Sequence, residues 1–199
     1  MLYLSARSAE RPRAFPTKTK CYYEMESFMK SVLLFLIKPL SFLPAILMVY
    51  IIFSFSSQDG VTSSQLSYYV TKEIVTIGGE ILDKGWDDWE IEMQVERYHG
   101  YVRKLGHVAE YFFLAVAIAF PFYVYGLRGF PLLIVAGILC LGVASLDEYY
   151  QGTVAGRGPS KRDVAIDMIG AFFGIITVRI ICWTALSGSR RRARKRTNK

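Results

Sequence analysis

Residues 39–58 read PLSFLPAILMVYIIFSFSSQ, twenty positions without a formal charge. As a helix, that stretch is about 30 Å long at ~1.5 Å per residue, which matches a bilayer's hydrocarbon core. Three further blocks resemble it. Residues 129–146 carry no charge, residues 108–126 carry only Glu110, and residues 164–186 carry only Asp167 and Arg179. The chain has 199 residues, of which 52% are hydrophobic and 21% charged. Its apolar residues are therefore gathered into spans, and a soluble enzyme, a disordered chain or a nucleic-acid-binding domain fits poorly. The expected fold is an all-α membrane protein with four transmembrane helices.

The charges give an expected topology. Residues 1–30 hold six Lys/Arg against three acids, and residues 185–199 hold seven Lys/Arg and no acid. The positive-inside rule places both ends in the cytoplasm, which four spans allow. The net charge of +7 comes largely from these ends. Beside a membrane span, attraction to anionic lipid explains the basic C-terminus better than nucleic acid does. Residues 56–106 hold nine acids and five bases and are expected outside. The short loop 148–162 is expected outside too, yet Arg157, Lys161 and Arg162 make it basic. Either the rule is outvoted there, or those bases have a task on the outer face.

The expected organisation is a disordered basic cytoplasmic tail over 1–30, a four-helix membrane domain over 31–186, and a basic cytoplasmic tail over 187–199. Residues 1–24 contain Pro12 and Pro16 and lack the apolar stretch of a signal peptide. They read as a disordered tail, or as an overextended start before Met25 or Met29. Cys21, Cys140 and Cys182 form no CxxC, and the latter two sit in apolar blocks as small hydrophobes.

Between spans one and two, Leu66, Val70, Ile74, Ile77 and Ile81 recur at helical spacing. An extracellular amphipathic helical segment is expected, lying on the membrane or on the bundle and loosened at its end by Gly78, Gly79 and Gly85. A second short helix is expected around Trp86, Trp89 and Met93, with the tryptophans as interface anchors.

Polar residues flank or enter every span. Ser56, Ser57 and Gln58 close span one. Arg103, Lys104, His107, Glu110 and Tyr111 open span two, and Arg103, His107 and Glu110 share a helical face. Asp147, Glu148 and Gln151 close span three, while Asp163 and Asp167 open span four. Under the expected topology all of these lie at the outer ends of their spans. Intramembrane acids cost about 2.5–3.5 kcal/mol each at a helix centre and less near the interface. Mutual pairing with Arg103, Lys104, Arg157, Lys161 and Arg162 is the structural explanation. A site is the functional one. Gly170 and Gly174 form a G-x-x-x-G on the face of Asp163 and Asp167, expected to pack helix four closely. His99 is a lone loop histidine without an expected role.

In this order, Phe55-Ser56-Ser57-Gln58, Arg103-Lys104-x-x-His107-x-x-Glu110-Tyr111, Asp147-Glu148-x-x-Gln151, Gly156-Arg157, and Asp163 and Asp167 with Gly170 resemble the VanZ-like membrane protein family. The similarity covers roughly residues 33–184, and the two extended ends depart from it. The resemblance implies a bacterial cytoplasmic-membrane protein. The family's namesake is associated with teicoplanin-type glycopeptide resistance.

Three mechanisms follow as expectations. The first is a cell-envelope protein that binds or alters a lipid headgroup or lipid-linked cell-wall precursor, with Arg103, Lys104, Arg157, Lys161 and Arg162 matching phosphate oxygens and Gln58, Gln151 and Asp163 lining the site. The second is an enzyme using His107, Glu110, Asp147, Glu148 or Asp167 as acid and base. A metal version of it would use His107, Glu110, Asp147 and Asp167, with the metal and any cofactor undetermined. The third, a transporter, is disfavoured because the acids stop at one face.

Overall fold

The computed structural model describes residues 22, 25–29, 31–32 and 38–197, with side chains placed through residue 184. The chain divides into two compact units, Met1–Leu40 and Ser41–Lys199. In the first, residues 25–29 and 38–40 are helical, and Ser31 Oγ donates to the Ser27 carbonyl at 2.9 Å. Of the expected disordered tail, residues 1–21, 23, 24 and 30 lie outside the described residues, while Met25 and Met29, the alternative starts, lie within them.

The second unit is built from five helices, and no strand occurs among the described residues. Helix α1, Leu43–Ser56, begins with Pro44 in its first turn, where no intrahelical N–H partner is lost. Helix α2, Gly60–Ile81, is capped by Asp59, whose side chain accepts from Thr62 N at 2.6 Å. Helix α3, Asp88–Val124, opens with a reciprocal capping box between Asp87 and Glu90. Asp88 and Glu90 also place negative charge in its first turn, where the helix dipole favours it. Helices α4, Gly129–Gln151, and α5, Lys161–Thr197, complete the unit. The α3–α4 turn uses Gly126 and Gly129, whose φ of +98° and +67° suit glycine. Four helices are long and apolar enough to cross a membrane: Lys38–Ser56, α3, α4 and Lys161–Thr184.

Two expectations about helix limits are corrected. The segment around Trp89 and Met93 is no separate helix; it is the start of α3. No proline interrupts residues 88–120, and Gly100 and Gly106 are isolated, so the helix runs through. At 37 residues α3 is about 55 Å long, well beyond the ~30 Å hydrocarbon core. Its first half pairs with α2 as a hairpin. The Gly78-Gly79 pair does not loosen α2, because the Trp86 ring packs over Gly79. The α2 face buried by this pairing is Thr71, Val75 and Gly79, while the Leu66–Ile81 stripe stays exposed.

Helix α3 is central and packs against α1, α2, α4 and α5. The core between spans is rich in alanine: Ala115 and Ala119 of α3, Ala136 and Ala144 of α4, and Ala171 of α5. Small residues let backbones approach where lipid offers no hydrophobic penalty to separation. The closest approach is at Gly170 and Gly174 of α5. A methyl at either would run into the carbonyl of Val108 or Phe112 of α3. Phe113, Ile138, Phe173 and Ile180 face outward, as lipid-facing side chains do.

Candidate functional site

One end of the bundle gathers the polar groups. The C-terminal ends of α1 and α4, the start of α5 and the middle of α3 meet there, so successive spans alternate in direction. Gln151 of α4 donates through Nε2 to Ser56 Oγ of α1 at 3.0 Å and to Asp147 Oδ2 at 2.8 Å. All three residues are buried. On the α3–α5 side, His107 Nδ1 lies 3.6 Å from Glu110 Oε2 and 4.0 Å from Asp167 Oδ1. Asp147, Arg103, Asp163 and Arg157 all act on His107 electrostatically. The burial is deep: Asp147 is 1% exposed, Asp167 2% and Tyr111 0%. Asp147 Oδ1, Asp167 Oδ1 and the Tyr111 hydroxyl have no hydrogen-bond partner among the described residues. Such atoms are costly in an apolar interior and mark this layer as more than packing.

The α4–α5 loop closes over the end of α1. Gly156, at φ +75°, lies against Gly60, and a methyl on Gly60 would sit 2.6 Å from the Gly156 carbonyl oxygen. Gly60 N also donates to Ala155 O at 3.1 Å. This clasp fixes the next residue, Arg157, whose Nη1 donates to Ser56 O at 3.5 Å. Burial and the charge of Arg103 pull Arg157 below its ordinary 12.5, opposed by Asp147, Glu148 and Asp59. It remains a cation at neutral pH.

Beside these groups an open cleft of about 180 Å³ lies between α2, α3 and the end of α1. Arg103, His107, Glu110 and Arg157 form its polar side. Neither arginine makes an ion pair with a carboxylate among the described residues, and Arg157 Nε is buried without a partner. Arg157 nonetheless feels the charges of Asp147, Glu148 and Asp59 at longer range.

Other sequence candidates stand apart. Glu148 is buried but accepts from Ser160 N, which pins the loop at the start of α5. Lys104, Lys161 and Arg162 are exposed, and none of them borders the cleft. Asp163 is half-buried one turn before Asp167, and Gln58 borders the cleft. His99 Nδ1 lies 3.1 Å from the Glu96 carbonyl oxygen. Among the described residues, no three His, Cys, Asp or Glu side chains are grouped to hold a metal ion. The four-ligand set His107, Glu110, Asp147 and Asp167 is accordingly not assembled, because Asp147 is turned toward Gln151. Ligand atoms must each reach about 2.0–2.3 Å from one point.

The α2 wall was not among the sequence candidates. Ser63, Leu66, Ser67 and Val70 line the cleft from it. Their two interleaved i, i+4 pairs were the available signal, although only the apolar pair stood out as a stripe.

A family model described as VanZ/LLP1 matches residues 41–182. No curated protein and no solved structure matches the chain.

Proposed function

We propose, from the premise that this chain belongs to the VanZ/LLP1 family, that it is a bacterial cell-envelope protein whose cleft holds a phosphate-bearing headgroup at the outer leaflet. The observation that carries the proposal is the pair Arg103 and Arg157. Two guanidinium groups border one cleft and neither is neutralised by an ion pair among the described residues. Guanidinium forks match phosphate oxygens in geometry and charge. The outer placement rests on the base-rich ends of the chain, which the positive-inside rule assigns to the cytoplasm.

The cleft's size limits the headgroup. At about 180 Å³ it is smaller than the ~300–1,000 Å³ of sites that enclose drug-sized ligands. A phosphate with its nearest atoms fits inside, and the remainder of a larger ligand would extend out through the open side. A lipid-linked precursor would be held by its phosphate alone. Reduced teicoplanin susceptibility then follows from an altered membrane surface, without destruction of the drug.

The test uses the full chain in phosphatidylcholine nanodiscs with fluorescent phosphatidic acid as probe. Arg157→Gln should weaken binding at least tenfold at unchanged membrane abundance, and Arg157→Lys should fall between. Unchanged binding in an Arg103→Gln/Arg157→Gln variant would sink the proposal. Loss of abundance in Arg157→Gln, with no rescue by Arg157→Lys, would make the arginine structural.

A second reading, acid–base catalysis on the bound ester, is favoured by the position of His107. Its ring nitrogen lies near both Glu110 and Asp167 at the cleft edge. Release of inorganic phosphate or free alcohol from the lipid probe, abolished by His107→Gln with binding intact, would select it.

A further inference from the structure

The cleft's lining is part charged and part apolar. Leu66 and Val70 of α2, Phe55 of α1 and Val102 of α3 line it together with Arg103 and Arg157, and Ser63 and Ser67 share the α2 wall. Leu66 and Val70 also begin the stripe that continues through Ile74, Ile77 and Ile81. These five side chains are 48%, 45%, 55%, 52% and 78% exposed. The α2 face that packs on α3 is a different one, Thr71, Val75 and Gly79. The cleft thus opens onto an apolar track that no part of the described chain covers.

Resting on the phosphate reading above, we propose that the ligand is a single phosphate-terminated lipid whose hydrocarbon chain lies along α2. Its phosphate sits at Arg103 and Arg157, and its chain leaves past Leu66 and Val70 toward Ile74 and Ile77. Three features support one amphiphile over a headgroup alone. The cleft is open and of about 180 Å³, so it takes a phosphate and lets attached carbons pass out of it. Leu66 and Val70 of its lining lead outward along α2 into the exposed apolar stripe. Cations and apolar wall also belong to the same cleft, so one molecule with a charged end and an apolar body meets both.

Helix α2 consequently selects among phosphate ligands by their chain. A free phosphate ion gains only the arginine contacts. A long-chain phosphate monoester gains those and the track. A fully buried methylene contributes about 0.8 kcal/mol, a fourfold gain in affinity; on a half-exposed face about twofold per methylene is expected.

The experiment measures chain-length dependence. Inorganic phosphate and butyl, hexyl and octyl phosphate are titrated against the full chain in phosphatidylcholine nanodiscs, with empty nanodiscs as the partition baseline. Beyond that baseline, affinity should rise about twofold per methylene. The Ile74→Ser/Ile77→Ser variant, outside the cleft lining, should flatten the slope while leaving inorganic phosphate binding unchanged. If all four probes bind alike and the variant changes nothing, the track is not used and the inference fails, while the headgroup reading survives. If Arg103→Gln/Arg157→Gln leaves every probe unaffected, the headgroup reading fails and takes this inference with it.

Discussion

Gly170→Ala is the sharpest test of how this bundle holds its site. A Cβ at position 170 would lie 2.9 Å from the carbonyl carbon of Val108 and 3.0 Å from its Cα, against 3.4 Å for ordinary contact. The obstruction is backbone and cannot rotate away, so α3 and α5 must part by half an ångström or more. Overpacking of a tight interior costs about 1–3 kcal/mol, and a rigid obstruction places this variant near the upper end. At ~1.4 kcal/mol per tenfold, the folded-to-unfolded ratio should fall about a hundredfold. Gly174→Ala meets Ala115 Cβ at 2.9 Å on the same seam. Once the first methyl has parted the helices the second meets less resistance, so the double variant should lose less than the sum. Gly137→Ala on α4 has nothing within 4 Å and serves as control. The assay is reversible unfolding in mixed micelles, followed by tryptophan fluorescence. A Gly170→Ala loss below about 0.5 kcal/mol, the scale of an unremarkable substitution, would refute the close α3–α5 approach. The consequence reaches the site, because Asp167 lies one turn from Gly170 and its distance to His107 is set by the same seam.

Three other outcomes are expected. Gln151→Leu removes the donor shared by Ser56 and Asp147. It should cost about 1–2 kcal/mol, more than Ser56→Ala at about 0.6, on the scale of intramembrane hydrogen bonds; equal costs in the same unfolding assay would contradict the shared-donor geometry. The Thr62 amide at the start of α2 holds the Asp59 carboxyl below its ordinary 3.8. A depressed carboxyl stabilises the fold above its ordinary value and stops doing so as pH falls through the lowered one. Protection of the first amides of α2, relative to their intrinsic exchange rates, should therefore fall only in acid, and Asp59→Asn should remove that pH dependence. The hydrogen bond to Glu92, and then burial, push the Tyr68 phenol up to about 12. Glu92→Gln should bring it back toward 10 in an ultraviolet titration; no movement would mean the α2–α3 hairpin is registered differently.

The number of spans and their class were legible because each apolar block is long, nearly uncharged and bounded by polar turns. Lipid leaves the backbone few alternatives to helix under those conditions. The candidate residues were legible for the same reason, since a charge inside an apolar block stands out against its neighbours. Arg103, His107 and Glu110 share a helical face, so their common side followed from periodicity alone. Where α3 begins was not legible, because residues 88–106 lack the apolar density that marks a span. The structure shows that they continue the same helix, which the lack of a proline across them permits.

Partnerships were settled in three dimensions. Sequence spacing treats Glu148 and Asp147 alike, yet Asp147 points at Gln151 and Glu148 at the Ser160 amide. Adjacent residues on a helix diverge by about 100°, and which direction meets a neighbour depends on how the helices are packed. The position of Arg157 has a similar cause. The Gly60–Gly156 clasp holds it against the Ser56 carbonyl and the cleft, without a carboxylate in direct ion-pair contact. Composition sufficed for a membrane bundle with costly acids near one end. The cleft, its free arginines and its apolar α2 wall arise from contacts between segments up to a hundred residues apart, which local periodicity does not encode.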